Sequence, residues 1–122
     1  MHELKLEGEE HDFALVRLEG ACPLKKLLKL QFCGSRLNKE VKIQGYEVYK
    51  VGHNICKMKQ YFHSGLVNRE SHFAIYYDVD TKTQQSGSPV MAVGCDGEVE
   101  VIALHKGYNP RINLNVGTKV TP

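Results

Sequence analysis

Tryptophan is missing from this 122-residue sequence, and no uninterrupted apolar run approaches the length that crosses a bilayer. No charged segment followed by an apolar one opens the chain, so a secretory signal is not predicted. The formal net charge is only +2, which is too small to indicate nucleic acid as an obligatory partner. These absences predict a globular protein of the cytoplasm or nucleus, without a membrane partner.

Cysteine is sparse, with four residues at positions 22, 33, 56 and 95 and no Cys-x-x-Cys pair. A disulfide-stabilised domain of this length is normally denser in cysteine, so free thiols are predicted. The spacing of His53 and Cys56 fits a zinc-ligand pair, and His63 and His72 follow, which leaves a zinc site as the alternative. Because no second tight pair accompanies the first, we predict no metal and no other cofactor.

Short apolar segments separated by turn residues make up most of the chain. The nearly continuous apolar run from His11 to Leu18 predicts a buried strand that Asp12 opens. Residues 21–44 mix leucines with lysines, which fits either one amphipathic helical turn or an irregular linker. Further strands are predicted at 41–51, 56–62, 72–78, 90–93, 99–105 and 112–120, with a polar connection at 64–71 and turns at 80–88, 95–97 and 107–110. Short strands at this spacing predict an all-β barrel or sandwich.

The segment Ser86-Gly87-Ser88-Pro89 joins a polar loop to the apolar strand at 90–93. A serine on a tight, glycine-flanked turn before a buried strand can expose its hydroxyl beside converging backbone N–H groups. That is the geometry of a nucleophile with an oxyanion hole. Turn chemistry alone also explains the same residue types. Ser86 is therefore either a candidate nucleophile or part of an ordinary β-turn.

Three segments in chain order resemble the trypsin-like serine peptidases of the chymotrypsin double-barrel fold: HDFALVRL from residue 11, QQSGSPVM from residue 84 and EVIALHKGYN from residue 100. SGSPV looks like the branch that contains the glutamyl endopeptidases. VYKVGHNICKMKQ is similar to a strand of the vertebrate nuclear trypsin-like peptidases, which act on DNA–protein crosslinks and replication. The resemblance covers most of the chain from Asp12 onward. It implies a chymotrypsin-like antiparallel barrel, with residues 1–45 as a remnant of the first barrel and linker and 46–122 as the second barrel.

The resemblance also implies roles for particular residues. Ser86 matches the nucleophile, Asp12 matches the acid that orients the general base, and Gln84 and Ser86 hold the backbone positions of the oxyanion hole. Ser86 would attack a peptide carbonyl of a protein or peptide substrate after losing its proton to a histidine held by Asp12. The wall of the substrate pocket is matched by His105, Lys106, Gly107 and Tyr108. A histidine at position 105 either binds an acidic side chain or is satisfied within the fold, and both interpretations remain open.

The sequence departs from the family pattern in two places. The base histidine of the family lies well upstream of the acid, whereas only His2 and His11 precede Asp12, and both are too close to it. Gln84 stands where the family usually has glycine, and its Cβ disfavours turning the peptide N–H into the oxyanion hole. We therefore expect an incomplete and inactive piece of a serine endopeptidase. The alternatives are a non-catalytic pseudopeptidase that binds protein segments and an unrelated β-domain. Association with nucleic acid is implied only by the family.

Overall fold

The structure, a computed structural model, describes residues 13–31, 34–51, 54–79 and 86–120, and every regular element in these ranges is a β-strand. The strands are β1 (Lys29–Leu30), β2 (Glu40–Val51), β3 (Asn54–Glu70), β4 (Ala74–Asp78), β5 (Pro89–Val93), β6 (Val99–Asn109) and β7 (Leu114–Lys119). The all-β prediction is thus confirmed. Across the described ranges no helix is long and apolar enough to cross a membrane.

Strands β2 to β7 form a closed antiparallel barrel. The order around the barrel is β6-β5-β2-β3-β4-β7, and β7 pairs back with β6. Strands β2, β3 and β4 follow one another, and β5 returns to pair with β2, which is a Greek-key arrangement. The two-residue strand β1 runs parallel to the start of β6, with Lys29 opposite Glu100. This six-stranded barrel with one added strand agrees with the chymotrypsin-like barrel that the resemblance implies.

The barrel interior is filled by residues that alternate along the strands with solvent-facing ones. On β2, Val41 and Ile43 are fully buried, whereas Lys42 between them is exposed. The fully buried side chains of the other strands include Val67, Ile75, Tyr77, Val90 and Ile102. The predicted boundary between the two units lies at residue 45. In the structure this position lies inside β2, which begins at Glu40.

Gly65 allows β3 and β4 to approach each other closely. A Cβ at this position would lie 1.9 Å from the carbonyl oxygen of Asp78 and 2.6 Å from a methyl group of Val79. Only a residue without a side chain fits there, because such distances are far inside van der Waals contact. Gly65 therefore belongs to the architecture of the barrel.

Buried charges attach the segment that precedes β2 to the barrel. The Glu100 carboxylate is almost fully buried and lies 3.5 Å from the Arg36 guanidinium and 3.6 Å from Lys29 Nζ. Arg36 also donates a hydrogen bond of 2.7 Å to the carbonyl oxygen of Val93. These contacts hold β1 and the residues after it against β5 and β6.

Several predicted elements are corrected by the structure. Residues 13–28 form no strand, and Leu15, Val16 and Leu18 are each about four-fifths exposed. A strand needs a neighbour for its backbone hydrogen bonds, and among the described residues no strand pairs with this segment. Asp12, which was predicted to open that strand, lies outside the described residues.

Two predicted connections are parts of long strands. The polar segment at 64–71 lies largely within β3, which extends to Glu70 because it pairs with both β2 and β4. The predicted turn at 107–110 begins later, since β6 continues to Asn109 in register with β7. Polar composition misled the first prediction, because the outer face of a barrel strand is solvated. Turn-forming residues, beginning with Gly107, misled the second.

The prediction of free thiols is wrong for Cys95, which is disulfide-bonded. Cys22 is free and exposed. Sequence spacing alone does not reveal which cysteines a barrel brings together.

Candidate functional site

Ser86 lies on a tight turn that leads into β5. Its side chain is exposed, and Gly87 beside it has a φ of 89°, a left-handed conformation that glycine adopts without steric cost. The Gly87 N–H donates to the His105 carbonyl at 2.7 Å, and the His105 N–H donates to the Ser88 carbonyl at 2.8 Å. Two backbone hydrogen bonds thus fix the serine turn to the middle of β6.

The Ser86 hydroxyl forms a hydrogen bond within the fold. Its Oγ donates to the carbonyl oxygen of Lys106 at 2.9 Å. The hydroxyl is therefore exposed but not free, because the hydrogen-bonded turn brings it next to β6. A hydroxyl that donates to a carbonyl keeps its proton, so a base must displace this bond before the oxygen can attack.

Ser86 borders an open cleft of about 520 Å³ on the outside of the barrel. Leu28, Tyr46 and Gln60 contribute to its walls, as do Gln44 and Met91. No histidine is found among the described residues that line this cleft. Ser86 thus lies at the surface of a cleft.

His105 is a buried residue of the barrel interior. Its Nδ1 shares a hydrogen bond of 2.6 Å with the Tyr77 hydroxyl, and its side chain is only 4% exposed. Burial lowers the pKa of His105 to about 4 and raises the pKa of the Tyr77 phenol well above its usual value. Both groups are therefore neutral at neutral pH, and the His105 imidazole is directed into the core.

The remaining residues predicted for the substrate pocket line a separate cavity of about 350 Å³, to which the serine turn does not contribute. Lys106, Gly107 and Tyr108 contribute to it, and the Tyr108 hydroxyl donates to the Asn113 side-chain oxygen. The His105 side chain is not part of this lining, because residues on either side of it along β6 face the opposite side of the sheet. The contact between Ser86 and these pocket residues is thus made by the backbone carbonyl of Lys106 on β6.

Asp12, Gln84 and His53 are among the residues of the sequence-based hypotheses that lie outside the described ones. Their positions relative to Ser86 remain predictions, and so does the oxyanion hole that Gln84 and Ser86 were expected to form. Within the described part of the chain, no group of three or more His, Cys, Asp or Glu side chains is arranged to hold a metal ion.

The sequence did not single out the cleft residues on β2 and β3 or the role of Tyr77. Gln44 and Tyr46 alternate with buried residues along β2, so their outward direction follows from the strand period. That they face Ser86 depends on the pairing of β2 with β5, which the sequence does not show.

No protein-family model matches this chain, and comparison with curated proteins likewise finds no match.

Proposed function

We propose that this chain is a homologue of the trypsin-like serine endopeptidases, in which Ser86 occupies the position of the nucleophile. The observation that carries the proposal is the fixation of the exposed Ser86 turn to His105 and Lys106 of β6. The family resemblance assigns these β6 residues to the wall of the substrate pocket. A nucleophile beside the strand that holds the substrate is what acyl transfer to serine requires.

The family mechanism implies that Ser86 attacks a peptide carbonyl and passes its proton to a histidine, so that an acyl-enzyme forms and the amine leaves. The described cleft holds no histidine, and His105 is occupied by Tyr77. We therefore propose that this chain by itself does not hydrolyse peptides at the rate of a peptidase. Loss of the base typically costs about a million-fold in turnover.

A non-catalytic pseudopeptidase that binds protein segments is the second candidate. It is favoured by the hydrogen bond that the Ser86 hydroxyl donates to the Lys106 carbonyl. In this role the cleft would bind an extended segment, while Ser86 would serve only to hold the turn. The resemblance further suggests a nuclear or cytoplasmic location and protein or peptide partners, with nucleic acid involved only through the family.

Labelling with a fluorophosphonate probe distinguishes the two candidates. The full chain and its Ser86→Ala variant are incubated with the probe, with and without added imidazole as a soluble base. We expect weak labelling that depends on Ser86 and increases with imidazole, because the missing component is the base.

Labelling that is equal in the Ser86→Ala variant would overturn the assignment of Ser86 as the nucleophile and favour the binding role. Cleavage of an unstructured protein substrate at ordinary peptidase rates would instead show that a base is present. In that case His105→Asn and His53→Asn are the variants that identify it.

A further inference from the structure

The Ser86 cleft continues into a second depression on the outside of the barrel. This depression, which we call the basic groove, has a volume of about 480 Å³ and shares Gln44 and Met91 with the cleft. Its further lining includes Lys39, Lys42, Phe62, Val93 and Val99. A molecule that lies along the outside of β2 can therefore contact the serine turn and the basic groove together.

The floor of the basic groove is apolar and open to solvent. Phe62 is 57% exposed, Val93 is 60% exposed and Val99 is 50% exposed. Three large apolar side chains exposed within one concave surface are typical of a binding site rather than of scattered surface residues. They provide a place for an apolar side chain of a ligand.

The rim of the basic groove carries positive charge. Lys39 and Lys42 are both exposed, and among the described residues neither forms an ion pair. Lys42 Nζ lies 5.7 Å from the centre of the Phe62 ring, so charge and apolar surface are adjacent. Arg36 also borders the groove, but Glu100 compensates its charge. Glu40 also lines the groove and offsets one of the two lysine charges. The net charge of Lys39, Glu40 and Lys42 is therefore +1.

We propose that the basic groove binds the continuation of a polypeptide that occupies the Ser86 cleft, and that it selects segments with a large apolar residue next to acidic residues. Gln44 and Lys42 lie on the same face of β2, about 7 Å apart, which is the spacing of two residues in an extended chain. An extended segment that runs from Ser86 past Gln44 therefore reaches Phe62 and Lys42 within a few residues. The inference deepens the proposed function and rests on it, since the ligand is the same polypeptide.

The test is direct binding, measured by fluorescence polarisation on the full chain. The probe is a labelled peptide of about ten residues with one leucine and two aspartates, and the comparison peptide has lysines in place of both aspartates. We expect Lys42→Glu and Phe62→Ala each to weaken binding of the acidic peptide by about tenfold. Lys25→Glu is the matched control, because Lys25 is exposed and lies outside the groove lining. Circular dichroism checks that each variant is folded.

Equal binding of the two peptides, or binding that Lys42→Glu and Phe62→Ala leave unchanged, would overturn the proposal. Concentration-dependent dimers in sedimentation that Phe62→Ala abolishes would overturn it as well, and would assign the groove to a second copy of this chain. Binding is measured with both Ser86 and Ser86→Ala chains, so it does not depend on catalysis. Loss of probe labelling with retained selective binding would therefore reject the peptidase function but not the groove.

Discussion

At the scale of single residues, the hydrogen bond between the His105 and Tyr77 side chains allows two polar groups to lie in the barrel interior. A histidine in the core is acceptable here because it is neutral and its Nδ1 is hydrogen-bonded to the Tyr77 hydroxyl. The sequence left open whether His105 binds a ligand or is satisfied within the fold, and burial gives it the second role in this structure. The pair also makes stability depend on pH.

We predict that the free energy of unfolding falls as the pH decreases from about 6.5 to about 4. The folded-state pKa of His105 is about 4, below its ordinary value of 6.5, so the unfolded chain takes up the proton first. The pH-dependent stability that His105 contributes is fully present above pH 6.5 and amounts to roughly 3 kcal/mol.

Urea denaturation at several pH values measures this effect, with His105→Asn as the comparison. The asparagine side-chain oxygen can accept the Tyr77 hydroxyl but does not titrate, so the variant should lose less stability on acidification. If the free energy of unfolding fell equally with pH in the two proteins, His105 would not be the source of the pH dependence.

At the scale of strands, the close approach of β3 and β4 depends on Gly65. The sequence gives no reason to single out this glycine, because it lies in a segment whose polar composition predicts a connection. Its importance comes from the Asp78 carbonyl across the sheet, a contact between residues distant in the sequence.

Gly65→Ala is predicted to destabilise the protein by about 3 kcal/mol, because the added Cβ overlaps the backbone of β4 and that strand is bonded in turn to β7. Ser64→Ala, at an exposed position of the same strand, serves as the control and should change stability little. Denaturant midpoints of the two variants make the comparison. A Gly65→Ala protein as stable as the control would show that β4 can move away.

At the scale of the whole molecule, buried charge connects the extended segment before β2 with the barrel. Arg36 and Glu100 lie far apart in the sequence but form a nearly buried ion pair, and Lys29 contacts the same carboxylate from the surface. Removing one partner of a buried pair leaves an uncompensated charge, which costs more than removing an exposed partner.

We therefore expect Arg36→Met to lower the free energy of unfolding by about 3 kcal/mol, because the buried Glu100 keeps only the solvent-exposed Lys29 as a partner. Lys29→Met should have a clearly smaller effect, since Lys29 is exposed to solvent. Equilibrium unfolding in urea compares the two variants. A larger loss for Lys29→Met than for Arg36→Met would show that the carboxylate is solvated.

The strand pattern between residues 41 and 120 predicted the all-β class well but left barrel and sandwich open, because alternating burial is a local property that the sequence records directly. The apolar run at 13–18 was misleading, since hydrophobicity indicates burial only where a partner strand is present. Strand pairing is a non-local property, and so are the cleft walls on β2 and β3 and the hydrogen bond between Ser86 and Lys106. The sequence therefore predicted that Ser86 is exposed, but not what its hydroxyl contacts.

The closed order of the strands also constrains when the fold can form during synthesis of the chain. β7 bonds both β4 and β6, so these two strands each keep an unpaired side until Lys119 has been made. A nascent chain that ends before β7 exposes two open sheet edges, which pair readily with other chains. Translation must therefore deliver almost the whole described sequence before the molecule is protected from aggregation.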